Sequence, residues 1–380
     1  MKSILTLLMA FATAACLAGP RARDLGVPFE GTPGPLNAIT DVAGVTVGHT
    51  TLIEDLPDGR KVRTGVTAIL PRGRDSFRIP AFGGWHPLNG NGEMTGTTWL
   101  EESGELDGPV MITNTHSVGI VRDAVIAWRV RQGGAGADGY WWSLPVVAET
   151  WDGHLNDVNG FHVKPEHAWA ALDSAAGGPV AEGNVGGGTG MICHEFKCGI
   201  GTSSRRISVA GRELTIGVLV QANYGLRETL RIAGVPVGEH IRAHRAYQDQ
   251  VPESGSIIIV VATDAPLLPH QLGRITRRAG MGLARMGSIA GNGSGDIFVA
   301  FSTANAEAIA DDDYAAAEFL DNGALDPLFA ATVQATEEAI VNALVAAKDM
   351  QGQGGHYAIA LPHDRLVELL KRYNRYSPPR

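Results

Sequence analysis

The sequence predicts an α+β protein, a layered sandwich of sheets covered by helices, and three observations predict it. Strand-like segments come in adjacent groups more than in strict strand–helix alternation, which disfavours a doubly wound parallel sheet. Residues 256–263 read Ser-Ile-Ile-Ile-Val-Val-Ala-Thr, the pattern of a strand buried on both faces. The longest helical patterns lie late in the chain.

Each element has its own signal. Residues 21–36 are rich in Pro and Gly and read as an extended lead-in. Residues 38–52 alternate apolar and polar, as a strand with turns does. Residues 66–70 and 110–114 are further strands. Val118, Val121, Val125 and Trp128 then share one helical face. Residues 144–148 form a short buried strand and 165–176 a short helix. Residues 183–204 are Gly-rich with little periodicity. Two strands across 206–223 flank Gly211 as a hairpin. The stretch 226–255 ends in an exposed polar run, the kind of place where a chain is cut. After the strand 256–263, Leu268, Leu272, Ile275, Ala279, Leu283 and Met286 mark an amphipathic helix. Residues 296–302 are a strand. Asp326-Pro327 caps a long helix with Phe329, Val333, Ile340 and Leu344 inward. A last helix runs over 362–373.

Bulk properties bound the function. A chain of 380 residues with 44% apolar residues has room for a sizeable core. A formal net charge of −9 and the lack of any Lys/Arg run exclude a nucleic-acid partner. Residues 1–19 stand apart: Lys2, a short apolar run and small residues before Gly19 read as an export signal, with Cys16 as a lipidated residue the alternative. No other stretch is long enough to span a bilayer. Export places the protein in the periplasm or outside the cell, where Cys193 and Cys198 either pair or remain two buried thiols.

Four segments carry candidate chemistry. Gly255-Ser256 joins an exposed polar run to a buried strand. Such a dipeptide is ordinarily a turn; the alternative is that the bond is cut and the new α-amine serves Ser256 as its base. In the Gly-rich segment 291–296, Ser294 and Asp296 either assist a nucleophile or simply shape a turn. Asn223 ends a strand, as a turn residue or as a donor to an oxyanion. Glu149 follows a buried strand and is preceded by Tyr140, Trp141 and Trp142, which form either core or a pocket for a substrate ammonium. Other motifs fall away. The Gly-rich 183–190 lacks a following Gly-Lys-Ser/Thr, so it is no nucleotide loop. His194-Glu195 is followed by Cys198 where a zinc helix needs histidine. His270 has no Gly-x-Ser-x-Gly elbow to serve.

Taken in series, the chain resembles the self-processing aminopeptidases that include the L-aminopeptidase/D-Ala-esterase/amidase and the β-peptidyl aminopeptidases. The matching segments are Gly44-Val-Thr-Val-Gly-His, Ile112-Thr-Asn-Thr-His-Ser-Val-Gly, Leu144-Pro-Val-Val-Ala-Glu-Thr-Trp-Asp-Gly and Gly183-Asn-Val-Gly-Gly-Gly-Thr-Gly-Met. Gln221-Ala-Asn-Tyr-Gly, Gly255-Ser-Ile-Ile-Ile-Val-Val-Ala-Thr-Asp-Ala-Pro-Leu and Asn292-Gly-Ser-Gly-Asp-Ile-Phe follow in the family's order. The resemblance covers about residues 25–375.

The resemblance implies a four-layer αββα sandwich like that of the N-terminal nucleophile hydrolases, differently connected. It implies cleavage between Gly255 and Ser256 into an α chain 20–255 and a β chain 256–380, with Ser256 the nucleophile. Ser294 and Asp296 match the assisting polar pair, where relatives can carry glutamate at the second position. Asn223 matches the oxyanion donor, Glu149 the carboxylate receiving the substrate's amino group, and Tyr140 (beside Trp141) a tyrosine near the reacting carbonyl. Cys198 stands where a small residue is expected, which makes a link to Cys193 worth testing. The implied enzyme needs no metal or cofactor, acts on short peptides, amino-acid amides or esters, and assembles as a homotetramer of two-chain protomers. Two other readings are an acyltransferase of the self-cleaving ornithine acetyltransferase type, which cuts before threonine, and a non-catalytic periplasmic peptide-binding protein.

Overall fold

The computed structural model describes residues 19–133, 142–247, 255–309 and 315–379. The export signal and Cys16 therefore fall outside the described residues, apart from Gly19. The strands are β1 (Thr46–Asp55), β2 (Lys61–Arg74), β3 (Ala81–Pro87), β4 (Glu105–Leu106), β5 (Val110–Asn114), β6 (Val146–Thr150), β7 (Ile192–Cys193), β8 (Phe196–Lys197), β9 (Ile200–Val209), β10 (Arg212–Asn223), β11 (Ser256–Thr263), β12 (Gly295–Ser302), β13 (Met350–Gln351) and β14 (Tyr357–Ala358). The helices are α1 (Thr97–Ser103), α2 (Val118–Arg131), α3 (Pro165–Asp173), α4 (Val237–His240), α5 (Pro269–Arg285), α6 (Asp326–Ala346) and α7 (His363–Arg372).

Two sheets stack face to face. One runs β1-β2-β5-β6, the other β4-β3-β12-β11-β10-β9. Within each, one pair is parallel, β5 with β6 and β11 with β12. Each parallel pair needs a crossover, and α2 and α5 supply them. The grouped strands of the sequence are thus antiparallel meanders with one βαβ unit embedded in each sheet.

Alternation along the central strand β11 sorts the layers. Ile258, Val260 and Ala262 face the other sheet, meeting Val47, Ile69, Ile112 and Val146 in the inter-sheet core. Ile257, Ile259 and Val261 face α5, α6 and α7 through Leu272, Ile275, Leu283, Ala339, Ile340 and Leu366. The outer face of the four-stranded sheet is covered by α2 and α3, through Val121, Val125, Trp128, Ala168 and Leu172. The layers are therefore α, β, β, α. Each fully buried Ile or Leu in these faces contributes about 1.5–3 kcal/mol. Gly201 on β9 lets α6 lie directly on the sheet: a Cβ there would fall 2.0 Å from Ala339 O.

Several elements differ from the sequence reading. Residues 39–41 are a 3-10 turn, and the strand after it spans Thr46–Asp55. β2 extends to 14 residues. The strand expected over 144–148 is shifted to Val146–Thr150, because Pro145 cannot join the ladder. Leu325, not Asp326, precedes α6, and Asp326 is its first residue. β3 and α1 carried no recognisable pattern. In β3, glycines replace the apolar residues a strand would show, since a Cβ on Gly84 would lie 2.6 Å from Gly273 N of α5.

Candidate active site

Three strand ends align at one end of the six-stranded sheet. Asn223, the last residue of β10, pairs with Ser256, the first of β11, and Ser256 pairs with Gly295, the first of β12. Asn223 and Ser256 point from the same face of the sheet, toward the four-stranded sheet. Ser256 is buried, and among the described residues its hydroxyl has no hydrogen-bond partner. The Gly255 carbonyl accepts from Gly295 N at 3.3 Å. Gly255 has no room for a side chain: a Cβ would stand 2.2 Å from Asn223 O and 2.5 Å from Tyr224 Cα. The small residue at this junction is thus a packing requirement.

The Asn223 carboxamide is held at both ends. Nδ2 donates to Trp151 O at 2.8 Å and Oδ1 accepts from Ile192 N at 2.8 Å. Among the described residues its second amide hydrogen makes no hydrogen bond.

Ser294 and Asp296 are in contact, Ser294 Oγ donating to Asp296 Oδ1 at 2.7 Å, both fully buried. Asn89, which the sequence reading missed, clamps the same aspartate: Nδ2 donates to Oδ2 at 3.2 Å, and Oδ1 accepts from Asp296 N at 2.5 Å. Burial pushes the Asp296 pKa up, opposed by the bonds from Ser294 and Asn89 and by the Ile257 N–H. That last contact brings the carboxylate to the peptide that follows Ser256.

Glu149 lies on β6 and is buried. It accepts from Glu93 N at 3.0 Å and, at very short range, from the Thr115 hydroxyl. Burial raises its pKa above the ordinary glutamate value, and these two bonds oppose the rise. Gly92 joins the two carboxylate regions, for a Cβ on it would lie 3.0 Å from Gly295 Cα and 3.3 Å from Glu149 Oε1. One loop, residues 88–95, therefore touches Asp296 through Asn89 and Glu149 through Glu93. The Asn89-Gly-Asn-Gly run was the available sequence signal, since such dipeptides mark tight turns. Thr115 stood within a segment singled out for its likeness to relatives but carried no pattern of its own.

Tyr140 and Trp141 lie outside the described residues. Their neighbour Trp142 packs edge-on against Trp99, with ring centroids 5.2 Å apart. Cys193 and Cys198 are joined as a disulfide, Cα atoms 5.4 Å apart, across the β7–β8 hairpin. The two turn residues, His194 and Glu195, both have positive φ, as a two-residue type I′ hairpin requires. His194 Nδ1 bonds Leu226 O at 2.9 Å and Glu195 pairs with Arg245.

Comparison with known proteins places this geometry. The model of peptidase family S58 matches residues 37–358. The chain belongs to peptidase family S58. It is 55% identical to the β-peptidyl aminopeptidase BapA of Sphingosinicella microcystinivorans, over 97% of this chain and 96% of that one. It is 48% identical to the BapA of Sphingosinicella xenopeptidilytica, over 96% of this chain and 94% of that one. The solved L-aminopeptidase D-Ala-esterase/amidase of Ochrobactrum anthropi, described as a new variant among the Ntn hydrolase fold, superposes with a TM-score of 0.90. The two are 50% identical, over 94% of this chain and 100% of that one. The αββα fold and its Ntn-like character follow, and so does the enzyme class: an aminopeptidase, a hydrolase of peptide bonds. Among the described residues no helix is long and apolar enough to cross a membrane.

Proposed function

We propose that this S58 peptidase is made as a precursor that cuts itself between Gly255 and Ser256, and that Ser256 then works as an N-terminal nucleophile. The observation that carries the reading is the alignment of Asn223, Ser256 and Gly295 at one end of the sheet, with Gly255 O on Gly295 N. In the precursor, Ser256 Oγ attacks the Gly255 carbonyl carbon. The C–N bond breaks, its nitrogen takes up the proton from the hydroxyl, and the acyl group rests on Oγ as an ester. Water hydrolyses that ester. The products are an α chain 20–255, after removal of residues 1–19 on export to the periplasm, and a β chain 256–380. They stay joined because β11 pairs with β10 and β12 pairs with β3, so that two strands of the β chain are each hydrogen-bonded to a strand of the α chain within one sheet.

In the mature enzyme the Ser256 hydroxyl attacks the first amide carbonyl of a short peptide, amide or ester. Its own α-amine, with an unperturbed pKa of about 7.7–8.0, or the Ser294–Asp296 pair takes the proton and returns it to the leaving amine. Asn223 Nδ2 and Gly295 N donate to the oxyanion. Glu149 receives the free ammonium of the substrate, with Tyr140 and Trp141 completing the pocket. Water then releases the N-terminal residue. Relatives named for β-peptides and for D-Ala esters and amides support substrates carrying D-Ala, L-α- or β-amino acids. The working form is a tetramer of αβ protomers.

Ser256→Ala tests the reading. It should purify as one uncut chain with no turnover of amino-acid p-nitroanilides. A Ser256→Ala protein that still separates into two chains would contradict it.

A further inference from the structure

Among the buried charged residues that the mechanism does not use, one has only carbonyl oxygens as partners. Lys197, on β8, is fully buried, and burial alone depresses its pKa well below 10.5. No carboxylate answers it among the described residues. Instead Nζ donates to Met191 O at 2.8 Å and Cys198 O at 2.5 Å, with Gly188 O at 3.4 Å. Burial favours the neutral amine, and against it three carbonyl acceptors face Nζ, one for each hydrogen of the charged ammonium, which is the form this geometry fits.

One of those carbonyls leads to the candidate active site. Met191 C=O and Ile192 N–H belong to a single planar peptide group. Its oxygen accepts from Lys197 Nζ and from Cys198 N at 3.0 Å. Its N–H donates to Asn223 Oδ1 at 2.8 Å, and Asn223 in turn donates through Nδ2 to Trp151 O at 2.8 Å. An ammonium, a peptide plane and a carboxamide are thus joined head to tail. Positive charge on the oxygen end makes each N–H further along a stronger donor. The last donor is the Asn223 amide, whose residue is the strand partner of Ser256. The Cys193–Cys198 disulfide braces the relay, because one cysteine follows Ile192 and the other follows Lys197.

We infer that Lys197 is a positioning residue of the oxyanion site: its ammonium fixes and polarises the 191–192 peptide, which fixes and polarises Asn223. The inference rests on the reading of Ser256 as nucleophile and Asn223 as oxyanion donor. It assigns a buried lysine that touches no substrate a share in transition-state stabilisation. A lysine that only holds the 188–198 backbone together would lower stability without acting through Asn223.

A double-mutant cycle separates these roles. kcat and KM for an amino-acid p-nitroanilide are measured for the wild type, Lys197→Met, Asn223→Ala and the double variant. Where a variant purifies uncut, its rate of conversion to two chains replaces kcat in all four. Lys197→Met is expected to lower kcat about 10- to 100-fold, within what one oxyanion donor supplies, with KM changed less than about twofold. In the Asn223→Ala background the same change should cost less than about threefold, because its route is gone. Equal losses in both backgrounds, a change confined to KM, or wild-type kcat in Lys197→Met would overturn the inference. Asn223→Ala with wild-type kcat would instead overturn the assignment of Asn223 itself. If Lys197→Met does not fold, Lys197→Gln, which keeps two amide hydrogens for the carbonyls and removes the charge, carries the same comparison and the same outcomes.

Discussion

Asn223 and Ser256 are direct partners in the antiparallel pair β10–β11, so their side chains leave the sheet side by side on one face, with Cβ atoms about 4.5–5.5 Å apart. Neither residue depends on a loop for its position. The backbone positions that carry the carboxamide and the hydroxyl are set by the same ladder, and the carboxamide is then oriented by Trp151 O and Ile192 N–H. Asn223→Ala should therefore lower kcat by about 10²–10³-fold, the usual effect of losing one oxyanion donor, with KM nearly unchanged. Steady-state kinetics on the processed protein check this.

Asn89 holds Asp296 by two bonds and touches neither Ser256 nor Ser294 among the described contacts. Asn89→Ala frees the carboxyl from one donor and leaves its buried main-chain N–H unpaired. Turnover should fall by about tenfold or more, on the scale of partial loss of proton-transfer assistance. Asp296→Ala should lower it further. Adding Asn89→Ala to Asp296→Ala should then cost little more, which kinetics on the three variants will read.

Glu149 is a buried carboxylate whose burial raises its pKa. If its charged form receives the substrate ammonium, KM should fall as pH rises through that raised pKa. Glu149→Gln should remove this dependence and raise KM about 10- to 100-fold, the loss of one charge-assisted hydrogen bond. KM measured against pH for both proteins gives the answer.

Asp152, the residue after Trp151, gives a stability signature. Its carboxyl accepts from Asn114 Nδ2 at 3.1 Å and Asn156 Nδ2 at 3.0 Å, and burial pushes its pKa from 3.8 up to about 6. Between those two values the folded state binds more protons than the unfolded state, so this group's contribution to stability is full below 3.8 and is lost as pH rises toward 6. The thermal midpoint of Asp152→Asn, compared with wild type across this range, should lack that component of the slope.

Much of this was legible before the structure. The strand beginning at Ser256 and the hairpin around Gly211 were readable because β-branched runs and a glycine turn are local signals, and Asn223, Ser294, Asp296 and Glu149 stood out at strand ends. What was not legible is long-range. Asn89 is 207 positions from Asp296, and nothing in an Asn-Gly turn tells which carboxylate it will meet. β3 was hidden because its close contact with α5 demands glycines where a strand pattern expects apolar side chains. Lys197 sat inside a segment that looked like a failed zinc motif, and only the folded hairpin turns it toward the Met191 carbonyl. The pairing of Cys193 with Cys198 was left open because a separation of five residues permits either state until the hairpin geometry is known.

The central claim is the cut before Ser256, and the mass of the purified wild-type protein under denaturing conditions tests it most directly. Two chains, the smaller beginning at Ser256 and ending at Arg380, are the predicted result. A single chain running unbroken through Gly255 and Ser256, in protein that hydrolyses its substrates, would contradict it.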